Sequence, residues 1–303
     1  MASPQSQALS DMYCHWVARM TAAPEMDLDT LRDLFDGWHR CGKEAPGVTY
    51  ESVDVDGIPA IWVIPPGAAA GRALLYSHGG GYVSGTPDSH RKMVGHFARA
   101  AGVRALVYDY RRAPENPHPI PVTDGRKVFD WLVAQGYAPN HIATIGDSAG
   151  GALSIAIPLH LRDSGAALPG AIVALSPFLD LQATGTTIDS NAAVDKLASK
   201  AIIEQIAMLF LGPEGSPTDP LAAPIHADPT GFPPIFISVG GHEVLLDDSR
   251  RFAAKADAAG CDVTLEEVPE MQHVFHFLAG AAPEADESIH TIGIWLRKQL
   301  GIS

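Results

Sequence analysis

From residue 72 onward, short β-branched and apolar runs alternate with stretches whose apolar positions recur every three or four residues. The runs are ALLYS (73 to 77), VRALVYDY (103 to 110), IATIG (142 to 146), AIVALS (171 to 176), PIFISVG (234 to 240) and VTLEEV (263 to 268). Most are apolar nearly throughout, which predicts strands covered on both faces, as in a parallel sheet. The helical stretches stop at glycine: Met93, Phe97 and Ala101 precede Gly102; Val128, Trp131 and Leu132 precede Gly136; Leu245, Phe252, Ala253 and Ala256 precede Gly260. A last stretch carries Ile292, Trp295 and Leu296 and ends near Gly301. Upstream, VTYESVDVDGIPAIWVIPP (48 to 66) sets a D-G turn between two alternating runs and predicts an antiparallel hairpin at the sheet edge. The order predicts an α/β fold: a mostly parallel central sheet of about eight strands, with helices on both faces.

Two stretches break this rhythm. Residues 1 to 45 carry Leu31, Leu34, Phe35 and Trp38 at helical spacing without a strand, and 178 to 230 hold the amphipathic LASKAIIEQIAMLFLG, ending at Gly212. Ligands of open α/β sheets sit outside the carboxyl ends of the strands. Both stretches are therefore expected to fold over that edge: an N-terminal helical cap segment, 1–45, and a helical cap insertion at about 178–230 in a catalytic domain of 46–303. Padding of the core is the competing expectation for the first.

The 303 residues are 46% hydrophobic, enough for one large domain with insertions. Twenty-one basic residues face 35 acidic ones, net −14, with no Lys/Arg block, which argues against nucleic acid and anionic membrane surfaces as partners. The opening MASPQSQALSDMYCHW lacks a basic and then apolar leader, and no apolar run reaches membrane-span length, so a cytoplasmic protein is expected. Cys14, Cys41 and Cys261 have no CxxC spacing, and the histidines show no HExxH. Neither a disulfide framework nor a metal site is expected.

The chemistry starts at IATIGDSAGGAL (142 to 153), where Gly146, Ser148 and Gly150 make G-x-S-x-G between a predicted strand and a predicted helix. That is the setting of a nucleophile elbow, whose sharp turn lifts a serine hydroxyl above the sheet. A proline in the following helix, Pro158, is expected to bend or break it. A serine attacking a carbonyl creates an oxyanion that needs preorganised donors. LLYSHGGGYVSG (74 to 85) supplies three consecutive glycines after a strand, where bare amides can approach, and the amide of Ala149 completes the hole. The base must come late in the chain, after the acid. His273 and His276 compete in EMQHVFHFLAG.

Together HGGGYVSG, YDYRRAPENPHPIP, GDSAGG and the late QHVFHF resemble, from about residue 50 to the C-terminus, the hormone-sensitive-lipase-like group of α/β-hydrolases, the bacterial type IV esterases. The resemblance implies that Gly80 and Gly81 are the loop's oxyanion donors, shaped by His78 and Gly79, and that His273 is the base through the pattern H-x-F. It gives Arg111 and Glu115 supporting roles; His118 departs from an aromatic common in the group. The group's D-x-L-x-D is absent: in VGGHEVLLDDS, Glu243 takes the place of the acid, with Asp247 as the alternative.

The resulting expectation is a carboxylesterase that cleaves short-chain acyl esters by Ser148, Glu243 and His273, with Gly80, Gly81 and Ala149 as oxyanion hole, Tyr82 beside the substrate, and no cofactor. Lactones or carbamates fit the same chemistry, and a homodimer is implied by the resemblance alone. A peptidase of this fold ordinarily brings a larger gating domain. Plant hormone receptors of similar fold bind without turnover because they lose the histidine, which here is present.

Overall fold

The apolar runs form strands that are buried on both sides. In the computed structural model, which describes residues 2–302, the strands are β1 (Thr49–Val55), β2 (Ile58–Ile64), β3 (Ala73–Ser77), β4 (Arg104–Tyr108), β5 (Ile142–Asp147), β6 (Ala171–Leu175), β7 (Ile235–Gly240) and β8 (Val263–Val268). They make one sheet in the order β1-β2-β4-β3-β5-β6-β7-β8. β2 pairs antiparallel with β1 and β4, and every other neighbour is parallel. Every residue of β3, β5, β6 and β7 is buried, whereas the edge strand β8 is half-buried.

The helices are α1 (Gln7–Ala22), α2 (Leu28–Phe35), α3 (Pro87–Ala101), α4 (Ile120–Ala134), α5 (Ala149–Asp163), α6 (Thr187–Ser190), α7 (Lys200–Leu211), α8 (Leu246–Ala258) and α9 (Pro283–Gln299). Successive strand side chains point to opposite faces, and two cores result. Leu75, Leu106 and Ile172 pack with Phe129 of α4, Ile155 of α5 and Phe252 of α8. Leu74, Val107 and Val173 pack with Phe97 of α3, Ile292 of α9 and Tyr13 of α1. α3 ends where the pattern predicts, at Gly102, whose φ of +70° only glycine adopts readily.

The N-terminal helices contribute both to the second core and to a cavity wall. Leu9, Tyr13 and Trp16 are buried in the second core, while Val17, Met20, Leu31 and Phe35 face a cavity at the carboxyl ends of the strands. α7 faces the same cavity with Ile202, Ile203 and Ile206. Among the described residues, no helix is long and apolar enough to cross a membrane.

The break expected at Pro158 does not occur, because α5 runs through it. Proline removes the N–H that would serve the carbonyl four residues earlier. That carbonyl, of Ser154, instead accepts from Thr144 Oγ1 at 2.8 Å, from the neighbouring strand β5. Thr144→Val leaves the buried carbonyl unpaired, an expected cost of about 1–3 kcal/mol in urea unfolding. Thr144→Ser keeps most of the stability. Equal midpoints for both variants would show that the bond does not matter.

Candidate active site

The turn from β5 into α5 is held by close backbone contact. A methyl group on Gly146 would strike the carbonyl of Gly150, and one on Gly150 the carbonyl of Ser77 at the end of β3. Ser148, between them, takes φ 54° and ψ −118°, a conformation costing a non-glycine residue about 1–3 kcal/mol. Its main chain is anchored on both sides: the amide donates to Leu175 O at 2.9 Å, and the carbonyl accepts from Ala152 and Phe178 at 3.1 and 3.0 Å.

The hydroxyl faces a histidine from the far end of the chain. His273 Nε2 lies 2.9 Å from Ser148 Oγ, and Nδ1 lies 2.7 Å from Glu243 Oε2. With a carboxylate at Nδ1 the ring's proton belongs there, so Nε2 offers its lone pair to the hydroxyl. Glu243 is fully buried, and its other oxygen accepts from Ser176 Oγ at 2.6 Å and from the Gly240 amide at 2.5 Å. Ser176 Oγ also accepts from the Val274 amide at 3.0 Å, so one hydroxyl joins the acid to the histidine loop. Burial works against protonation of His273, but the Glu243 hydrogen bond and the charges of Glu243, Asp195 and Asp147 outweigh it and raise its pKa above the ordinary histidine value.

The competing carboxylate and histidine have other partners. Asp247 sits in the first turn of α8, accepts from the Thr186 amide at 2.9 Å and pairs with Arg251 at 3.3 Å, away from the imidazole. His276 is buried, with Nε2 at 3.2 and 3.0 Å from the hydroxyls of Ser238 and Ser288. Burial pushes its pKa down to about 3, which keeps it a neutral structural residue.

Gly80 and Gly81 take φ of +110° and +62° and face the cavity beside Ser148 and His273. No acceptor among the described residues takes their amides or that of Ala149, the first residue of α5. The third glycine is used differently. The Gly79 amide points at Asp147 Oδ1 (3.1 Å) and His90 Nε2 (3.2 Å), and Tyr76 donates to the same carboxylate oxygen at 2.8 Å. Asp147 adjoins the serine in sequence, so this carboxylate ties the glycine loop to the elbow. Neither Asp147 nor His90 stood out in the sequence; the only signal was the residue type inside GDSAG.

Tyr82 was expected to line the pocket and does not. It is 1% exposed and stacks on Phe210 of α7 with ring centroids 3.6 Å apart, so its ring supports the loop from beneath. Arg111 grips Asp124 of α4 through two nitrogens at 3.0 and 2.7 Å. Glu115 pairs with Arg32 of α2 at 2.9 and 2.7 Å, and Arg32 also donates to the Val83 carbonyl in the glycine loop at 2.9 Å. His118 bonds Asp219 at 2.9 Å and sets its ring edge-on to Phe210, which is how an imidazole fills an aromatic position. From α1, Tyr13 donates to the His273 carbonyl at 2.8 Å. The cavity above these groups holds about 500 Å³ and is largely apolar.

Residues 74–277 match a family described as alpha/beta hydrolase fold. An acetyl-hydrolase of Streptomyces hygroscopicus is 38% identical over 298 residues, covering 92% of this chain and 98% of that one. An esterase of Acinetobacter venetianus is 30% identical, covering 87% of each. Among solved structures, an esterase from the bacterial hormone-sensitive lipase family is 42% identical with a TM-score of 0.94, covering 99% of this chain and 100% of that one.

The geometry has a reactivity consequence. A fluorophosphonate is expected to label Ser148, with a rate that falls as pH drops, because protonated His273 cannot accept the serine proton. The midpoint should lie above the ordinary value of about 6.5, and Glu243→Gln should move it down. Peptide mapping that finds the label elsewhere, or a midpoint insensitive to Glu243, contradicts this arrangement.

Proposed function

Because the chain belongs to the α/β-hydrolase fold family, among the hormone-sensitive-lipase-like esterases, and is a serine carboxylester hydrolase, we propose that Ser148, His273 and Glu243 are its triad. The observation that carries this reading is the unbroken chain of contacts, 2.9 Å from Ser148 Oγ to His273 Nε2 and 2.7 Å from Nδ1 to Glu243, beside three unclaimed amides.

The mechanism follows from those contacts. Ser148 Oγ attacks the ester carbonyl carbon while its proton passes to His273 Nε2, and the carbonyl oxygen becomes an oxyanion between the amides of Gly80, Gly81 and Ala149. Each such donor is worth about 3 kcal/mol of barrier. The imidazolium, steadied by Glu243, returns its proton to the departing alcohol as the C–O bond breaks and an acyl-enzyme remains. Water then gives a proton to Nε2 and attacks the acyl carbon; the acid leaves, and Ser148 regains its proton. A glutamate serves where an aspartate is usual because Gly240 makes room: a Cβ there would lie 2.9 Å from Glu243 Oε1.

The 1–45 segment and the 178–230 insertion act as caps on the 46–303 catalytic domain. The apolar cavity of about 500 Å³ that they close supports short acyl chains as substrates.

Hydrolysis of p-nitrophenyl acetate and butyrate tests the reading. Ser148→Ala is expected to lower kcat by about 10³-fold or more, and Glu243→Gln by about 10²- to 10⁴-fold. Asp247→Asn should stay within a few-fold of the parent. The reverse order for the two acids would transfer the role to Asp247, and turnover unaffected by Ser148→Ala would remove the triad altogether.

A further inference from the structure

The segment between α6 and α7 is tied to the acid loop by side chains at several points. Asn191 Nδ2 donates to the carbonyls of Gly241 and Glu243 at 3.1 and 2.8 Å. Asp195 Oδ2 accepts from the amide of Val244, the residue after Glu243, at 2.9 Å, and its Oδ1 accepts from the amides of Leu197 and Ala198 at 2.9 and 2.8 Å. Gln272, the residue before His273, donates to the Val194 carbonyl at 2.9 Å and accepts from the Lys196 amide at 2.8 Å. The peptide groups flanking Glu243 and the side chain preceding His273 are thus held by a stretch of the insertion. Leu197, Ala198 and Ser199, immediately onward, form part of the cavity wall.

From this geometry we propose that Asp195, assisted by Asn191, is a positioning residue for Glu243, and that it makes the substrate-facing wall and the alignment of the triad one mechanical unit. The proposal rests on the triad reading above. Glutamate has one more rotatable bond than aspartate, so its carboxylate reaches Nδ1 reliably only if the main chain at 243 is held, and small misplacements of catalytic groups cost large factors in rate. Every partner of the Asp195 carboxylate is a donor, which suits an anion. Burial pushes its carboxyl upward, with those amides pulling the other way. As an anion it joins Glu243 and Asp147, the other charged groups acting on His273, in favouring the imidazolium. Asp195 itself does not line the cavity, so its influence on substrate passes through Leu197 and Ala198.

Asp195→Asn keeps the size, removes the charge and sets an NH₂ against an amide donor. For p-nitrophenyl butyrate, kcat is expected to fall about tenfold or more with KM within twofold, as for an interaction made only in the transition state. The acidic limb of kcat/KM should also move to lower pH. Near-UV circular dichroism restricts the comparison to folded protein. An acidic limb that stays in place overturns the proposal whatever happens to kcat. If Asp195→Asn does not fold, Asn191→Ala carries the test: a lower kcat at constant KM supports the proposal, and an unchanged kcat overturns it. Glu243→Gln in the same series separates two failures. If it leaves both kcat and the limb unchanged, the triad reading fails; if it alters both while Asp195→Asn alters neither, only the positioning role fails.

Discussion

The contact on which the site depends is the one between the main chains at the ends of β3 and β5. Ser77 pairs with Gly146 in the ladder, and Gly150 lies directly against the Ser77 carbonyl. With no room for a methyl group at 146 or 150, the chain can turn within a few residues from strand to helix. Ser148 is left at the apex with a strained φ, and such strain persists only where the surroundings over-determine it. Because β3 continues into the glycine loop, the same contact brings Ser148 and the bare amides together, and Asp147 fastens the two by accepting from Gly79. Ser148 and the amides facing it are therefore brought together by one packing event.

The carboxylates buried beside this contact accept from several donors, and Asp147 and Glu243 each also face a histidine ring. Glu243 is held by Ser176 and Gly240, Asp147 by Tyr76 and Gly79, and Asp195 by three amides. A buried carboxylate without such partners would take up a proton. Kept as anions, these groups outweigh the desolvation of His273 and raise its affinity for a proton. A stronger base accepts the serine proton more readily, at the cost of being occupied by a proton over more of the acidic range. His276, three residues away and lacking a carboxylate partner, moves in the opposite direction under the same burial.

Two of the helices over the cavity, and the segment after α6, are bound to the loops below by polar contacts. Arg32 of α2 reaches the Val83 carbonyl, Tyr13 of α1 reaches the His273 carbonyl, and Asn191 reaches the Glu243 carbonyl. These three side chains each restrain a main-chain carbonyl of a loop that carries part of the site.

Much of this was legible in the linear chain because it rests on local rules. Fully apolar runs of five or six residues become strands covered on both sides, glycine ends α3, and G-x-S-x-G between strand and helix marks the elbow. His273 and Glu243 could be named from order along the chain and from resemblance, but two nearby carboxylates and two nearby histidines remained in competition. Only tertiary structure shows that Glu243 is the carboxylate in contact with His273, since which side chain reaches an imidazole depends on how β7 and β8 lie side by side. The same holds for Tyr82, whose ring turned away from the cavity to stack on Phe210, and for Pro158, whose missing donor was compensated by Thr144 of β5. Asp147, Tyr13 and Asp195 act through partners 68, 260 and 49 residues distant. Periodicity and motif spacing register neighbours along the chain; contacts of that separation exist only once the sheet has brought its strand ends together.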